Sequence, residues 1–229
     1  ALTGTGADNY DVTFVVDSNG GLTINKAELT ITIKDQEYTY NGEAQGEAGG
    51  HYTEDAALEK VEVSGLQGND KLWSIDMKEY KETDANTYEG KLEFDTTVSS
   101  NRPDATSDNA REYYESLGQE PIEKMPLSVN YKVTVKNGDL IINKQELEIH
   151  VKGNEETVTY DGNKHTVSGF EVVNAEDVPD GTEVIWNFTT LLKVEKANAG
   201  YYELPLKADR FALTGTGADN YDVTFVVDS

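Results

Sequence analysis

Residues 1–18 read ALTGTGADNYDVTFVVDS, and residues 212–229 repeat the same eighteen letters. Position 1 thus recurs at position 212, a period of 211 residues. A perfect match of this length marks an array whose units stack on or follow one another. On this reading the chain is a piece of something longer, one period plus the start of the next. Within the stretch, Asp11 to Val16 alternates apolar and polar residues with a period of two. That is the pattern of a strand with one buried face.

A weaker repeat lies inside the long one. Asn9-Tyr10-Asp11-Val12-Thr13 matches Asn130-Tyr131-Lys132-Val133-Thr134, and Leu22-Thr23-Ile24-Asn25-Lys26 matches Leu140-Ile141-Ile142-Asn143-Lys144. Glu28-Leu29-Thr30-Ile31 matches Glu146-Leu147-Glu148-Ile149, and Tyr40-Asn41-Gly42 matches Tyr160-Asp161-Gly162. From Lys26 to Lys144 is 118 residues, which leaves 93 of the period for a second, shorter copy. Residues 1–26 then read as the closing hairpin of a preceding module. Residues 27–144 form module A, and 145–229 form module B without its last strand.

Each copy reads as short strands. Asp11 to Val16 and Leu22 to Asn25 flank Ser18-Asn19-Gly20-Gly21, a hairpin signal. Lys132 to Val135 and Leu140 to Asn143 flank Lys136-Asn137-Gly138-Asp139 in the same way. Glu28 to Lys34 and Glu146 to Lys152 alternate as half-buried strands. Tyr-Asn-Gly and Tyr-Asp-Gly supply tight-turn residues. Further strands are predicted at Leu58 to Val63, Leu72 to Met77, Val167 to Val173 and Glu183 to Phe188. Trp73 and Trp186 lie on two of them and are expected in the core. Asp84-Ala85-Asn86-Thr87-Tyr88 and Asn198-Ala199-Gly200-Tyr201-Tyr202 resemble the tyrosine corner of immunoglobulin-like sandwiches. The fold class is therefore all-β, with tandem Ig-like β-sandwich modules.

The first copy is 25 residues longer, mostly between Asp95 and Pro126. Thr96 to Ser107 reads as loop. Asp108 is a candidate cap for a short helix through Leu117, which Gly118 would end. Binding residues favour such insertions. Arg111, Tyr113 and Tyr114 are the candidate ligand-contact residues, because exposed aromatics stack on sugars and anchor protein interfaces.

Acidic residues number 43 against 19 basic, a formal net charge of −24. That balance argues against nucleic acid and anionic membrane surfaces as partners, since both need a surplus of Lys and Arg. The chain has no cysteine, hence no disulfide and no thiolate metal site,. No apolar run is long enough for a membrane helix. His51, His150 and His165 lack zinc-ligand spacing. Neither a nucleophile elbow nor a dinucleotide loop is recognisable, so no catalytic residue is assigned and the chain reads as a non-enzyme. No cofactor is expected. Calcium is the one cation kept open, at Asp8-Asn9-Tyr10-Asp11 and Asp177-Val178-Pro179-Asp180, where the weightier reading is Asx turns. A Lys–Asn crosslink through Lys26 or Lys144 would require those lysines to be buried.

The pattern N-Y-x-V-T, then L-x-I-N-K and an alternating strand, then Tyr-Asp-Gly-x-x-His-Thr-Val-Ser-Gly, resembles the MBG-type and related Ig-like repeats of large bacterial surface proteins. It runs from Asn9 to Ile33 and more fully from Asn130 to Gly169, and leaves out the insertion. The resemblance implies an all-β module, secretion and attachment to the bacterial cell wall through another part of the chain. It also implies a role in an adhesin, as a stalk that presents a contact surface. The alternative is direct binding of a host ligand by the insertion, either a mucin glycan or a host protein such as immunoglobulin. Neighbouring repeat modules are the other expected partners.

Overall fold

A computed structural model of the chain describes residues 1–16, 20–95, 104–106, 114–119 and 124–228. The described chain is all-β. Its first part holds β1 (Ala27–Ile33), β2 (Gln36–Thr39), β3 (Gln45–Glu47), β4 (Gly50–Thr53), β5 (Val61–Ser64) and β6 (Lys71–Met77). It continues with β7 (Tyr80–Glu82), β8 (Asn86–Leu92), β9 (Asp104–Thr106), β10 (Lys124–Pro126), β11 (Tyr131–Lys136) and β12 (Gly138–Asn143). The second part holds β13 (Gln145–Gly153), β14 (His165–Ser168), β15 (Phe170–Val172), β16 (Thr182–Trp186), β17 (Lys193–Lys196), β18 (Phe211–Gly215) and β19 (Tyr221–Val227). A short helix, α1 (Glu54–Lys60), lies between β4 and β5.

Two separate apolar clusters form among the described residues. The first gathers Leu29, Ile31 and Ile33 of β1, Leu72, Ile75 and Met77 of β6, Leu92 of β8, and Leu140 and Ile142 of β12. These strands belong to three different sheets, so the sheets close on a shared core. The second gathers Ile149, Val151, Val184 and Phe211, with Trp186 and Phe225 packed against them. Strand alternation explains both, because every second residue faces inward.

The two parts share a pairing scheme. β1 pairs in parallel with β11 and antiparallel with β5. β13 pairs in parallel with β19 and antiparallel with β15. β3 with β7 and β14 with β17 are further antiparallel counterparts. In the first part, β2 and β12 are also parallel, and β12 lies between β2 and β8. Ala27↔Tyr131 and Gln36↔Leu140 have the same sequence offset. The segments 27–39 and 131–143 thus run side by side and pass together from one sheet to another. Gly138 sits at the crossing. A Cβ there would lie 2.7 Å from the carbonyl oxygens of both Ile33 and Lys34, so the close passage admits only glycine.

That arrangement replaces the predicted hairpins. β11 and β12 are strands where expected, but they join different sheets instead of each other. Asp11 to Val16 and Leu22 to Asn25 form no strand; residues 10–16 and 20–26 have no regular secondary structure and are exposed. A strand needs a partner for its backbone polar groups, and these segments pair with no strand among the described residues,. Leu58 to Val63 divides into the end of α1 and β5. Its sequence EDAALEK has acidic residues in the first turn, good helix formers and a terminal lysine, which favour a helix. Ala57 anchors that helix in the core. Thr96 to Ser107 is not wholly loop, because β9 pairs with both β6 and β10. β16 and β18, by contrast, pair directly. Part of the insertion thus adds a strand to a sheet, where it meets the backbone groups of β6 and β10.

Candidate functional site

The most built-up contact lies between the two parts. Asn220 ends a 3₁₀ turn, Ala218–Asn220, that leads into β19. Its side chain is only 4% exposed. Asn220 Oδ1 accepts from the backbone N–H of Ala85 at 2.6 Å, and its Nδ2 donates to Asp84 Oδ1 at 3.0 Å. Beside it, the rings of Tyr221 and Tyr40 meet edge-on, with centroids 5.4 Å apart. Burial first, then Tyr40, raises the Tyr221 hydroxyl above its ordinary pKa. Tyr40 N–H also donates to the Asn143 carbonyl at 2.8 Å. The last turn of one part is therefore clamped onto two loops of the other.

Those loops carry repeat signatures. Tyr88 hydroxyl donates to the Asp84 carbonyl at 2.9 Å, the upstream backbone bond expected of a tyrosine corner,. Asn41 Oδ1 accepts from Glu43 N–H, and Asp161 Oδ1 from Asn163 N–H, at 2.9 and 2.8 Å. Gly42 and Gly162 have φ of 81° and 82°. Both are Asx turns closed by glycine in the left-handed region. Bonds from Asn163, first by its backbone and then by its side chain, and from His165 bring Asp161 down to about 2.

A second feature is a groove of about 820 Å³ in the second part. Its walls are drawn from the segments 154–160 and 200–206, with Val158, Tyr160, Tyr202 and Leu206 among the lining residues. Neither wall is in a strand. Their counterparts in the first part, β2 and β8, are strands because β12 lies between them.

A third feature is a buried charge cluster in the first part. Glu47 is fully buried on β3. Its Oε2 accepts from Gln36 Nε2 at 2.6 Å and from Lys60 Nζ at 2.8 Å. Its Oε1 accepts from Tyr52 Oη at 2.5 Å and Gly49 N–H at 3.0 Å. Burial pushes the carboxyl up, but bonds from Lys60, Tyr52 and Gln36 outweigh it and hold the group below its ordinary value. Burial would depress Lys60, yet Glu47 raises it above its ordinary value. Burial and then Glu47 raise Tyr52. All three titrations move away from neutrality, the reverse of what a general acid or base needs. The sequence offered no single motif for this cluster, whose members come from β2, β3, β4 and α1.

Of the residues proposed to contact a ligand, Arg111 and Tyr113 lie outside the described residues, as does Asp108. Tyr114 is half-buried and begins a helical turn in which Leu117 N–H bonds the Tyr114 carbonyl at 3.1 Å. Gly118 ends that turn with φ 67°. Trp186 packs on the second core and donates Nε1–H to the Thr190 carbonyl at 2.8 Å, while Trp73 is half-buried. His51 pairs with Asp76, and His150 bridges Asp228 and Glu148, at 2.8 to 3.0 Å. Among the described residues no three His, Asp or Glu side chains gather as a metal-holding group. Asp177 instead accepts from Asn174 Nδ2 at 2.9 Å. Lys26 and Lys144 are exposed, with Lys26 Nζ donating to the Ser128 carbonyl. The dry setting an isopeptide bond requires is therefore missing at both. Among the described residues no helix is long and apolar enough to cross a membrane. Comparisons with models of known families, with curated proteins and with solved structures find no match.

Proposed function

We propose that this chain is a repeat unit of a bacterial surface adhesin, built of tandem Ig-like modules and working as an extended stalk that presents a contact surface. Its place is outside the cell, on the cell wall, and its work is mechanical rather than catalytic. The observation that carries the reading is the perfect recurrence of residues 1–18 at 212–229. The clamp of Asn220 and Tyr221 on Asp84, Ala85 and Tyr40 supports it, because the same residue types recur at Asn9 and Tyr10. A stalk needs joints that resist bending, and paired side-chain bonds with ring packing supply that. The acidic coat keeps such arrays soluble and apart.

The test is length. Chains of one, two and four periods should show a maximum dimension, by small-angle scattering, that grows in proportion to period number. Displayed on a cell that carries a terminal binding domain, they should extend its capture distance by the same proportion. Compact multimers, or a capture distance independent of period number, would refute the stalk.

The second reading assigns a direct host ligand, a mucin glycan or a host protein such as immunoglobulin, to the insertion. What favours it is that the insertion is tied into the sheet through β9, which pairs with β6. Binding to mucin and immunoglobulin that falls at least tenfold in an Arg111→Ala, Tyr113→Ala, Tyr114→Ala variant would establish it. Unchanged binding would remove it.

A further inference from the structure

The groove in the second part and the exposed segment at residues 20–26 fit one another. We infer that Gly20–Lys26 of one molecule adds as a strand into the groove between residues 154–160 and 200–206 of a second copy. The second copy thereby extends the first head to tail. This does not rest on the adhesin reading, since it concerns only how two copies of this chain meet.

The first part supplies the template. There β12 lies parallel to β2 and antiparallel to β8, with Leu140 opposite Gln36 and Tyr88, and Ile142 opposite Tyr38 and Asn86. Leu140 and Ile142 are 0% and 2% exposed. Their repeat counterparts are Leu22 and Ile24, which are 87% and 82% exposed. Tyr40 and Tyr160, and Tyr88 and Tyr202, are counterparts too. Transferring the register puts Leu22 opposite Glu156 and Tyr202, and Ile24 opposite Val158 and Gly200. Gly20 then takes the place of Gly138, where the first part admits no side chain. Every position that requires an apolar residue or a glycine receives one.

The groove also has the physical character of an unpaired sheet edge. Residues 154–160 and 201–207 belong to no strand and no ladder, and edges left unpaired are templates for strand addition. Val158, Tyr160 and Tyr201 stand exposed on its walls. Tyr160 is informative, because its counterpart Tyr40 is capped by Tyr221 where the two parts meet. Lys26 leads directly into β1 of the incoming copy, as Lys144 leads into β13. The contact is heterologous, donor segment to acceptor groove, so it does not close on itself and grows into chains.

The test uses the intact chain. Sedimentation velocity over a wide concentration range should show the average mass rising past dimer. A Leu22→Asp, Ile24→Asp variant loses its donor, and a Val158→Lys variant loses its acceptor. Both changes fall on exposed side chains, so both variants should keep the wild-type circular dichroism spectrum. Each alone should stay monomeric, while an equimolar mixture should form a dimer and stop there. In the wild-type assembly the amides of residues 22–25 and 157–159 should become protected from hydrogen exchange. A wild-type mass independent of concentration would overturn the inference. So would growth that persists in the Leu22→Asp, Ile24→Asp variant, or protection of residues 22–25 in a monomer, which would mean the segment folds back on its own chain. An adhesin stalk could fail its length test with this association intact, so the two outcomes are separable.

Discussion

Replacing Glu47 by Gln changes almost no volume but reverses the hydrogen-bonding sense of half a buried group. The amide oxygen can still accept from Tyr52 and Gly49 N–H, as Oε1 does now. The amide nitrogen, however, faces Gln36 Nε2 and Lys60 Nζ, two donors that now bond Oε2. Gln36 can turn its amide to accept from that nitrogen, with Tyr38 Oη, which now donates to it at 3.1 Å, becoming the acceptor instead,. Lys60, mostly buried, keeps its charge without its partner. Removing one member of a buried pair costs about 3 to 5 kcal/mol, and the residual exposure of Lys60 sets the expectation at the lower end, about 3 kcal/mol. For a unit of this size each kcal/mol lowers the melting temperature by roughly 3 to 5 °C, so calorimetry should show a fall of roughly 10 °C in the transition of the first part. The pH dependence is a second signature. The folded carboxyl titrates below its ordinary 4.5, so its contribution is complete above that value and is lost as pH falls through the depressed one,. Lys60 titrates above 10.5, so its contribution is complete below that value and is lost as pH rises through the raised one,. Glu47→Gln should therefore reduce the acid-side slope of the first part's unfolding,. A double variant, Glu47→Leu with Lys60→Met, should be more stable than the sum of its single changes implies, because no charge is left unpartnered. Additivity within about 0.5 kcal/mol would show that the two groups do not act together, and the reasoning would fail.

Asn220→Ala removes two hydrogen bonds at the joint and should cost about 1 to 3 kcal/mol, seen as a fall in melting temperature,; melting at wild-type temperatures would count against the clamp. Gly138→Ala forces a Cβ against two backbone carbonyls and should destabilise the first part by about 1 to 3 kcal/mol in urea, with the second unaffected,. Leu140→Ala, at a fully buried position of β12, should cost about 2 to 5 kcal/mol by the same measurement,. His150, raised by Asp228 first and then Glu148, should titrate above 6.5 by NMR. The bridge to Asp228 should weaken as pH rises through the raised value, above 6.5, and Asp228→Asn should return the titration toward 6.5,.

Much of the strand content was legible because alternation is a local record of burial. Leu29, Ile31 and Ile33 predicted β1, and they line the first core. The tyrosine-corner bond of Tyr88 and the Asx turns at Asn41 and Asp161 were legible for the same reason, since each closes within four residues. Partner choice was not. Leu140 and Ile142 read as the return of a hairpin, yet they pair with β2 and β8, because a central position pairs both edges of the strand and buries Leu140 and Ile142, which outweighs pairing with the nearest neighbour. The Glu47 cluster escaped because four elements converge on it. α1 escaped because Leu58 and Val61 lie in a run whose apolar spacing suits either a strand or a helix.

The duplicated stretch serves as an internal control. Ala7–Asn9 and Ala218–Asn220 both form 3₁₀ turns, entered through glycines at φ 93° and 84°. Their bonds join residues three apart, so the amino acids alone determine the turn wherever it stands. Tyr10 to Val16 and Tyr221 to Val227 are also identical, yet only the second is a strand, held by β13 along its whole length. Strand hydrogen bonds and the burial of Val223 and Phe225 depend on chain more than seventy residues away. Which copy became structure was decided by what lay beside it.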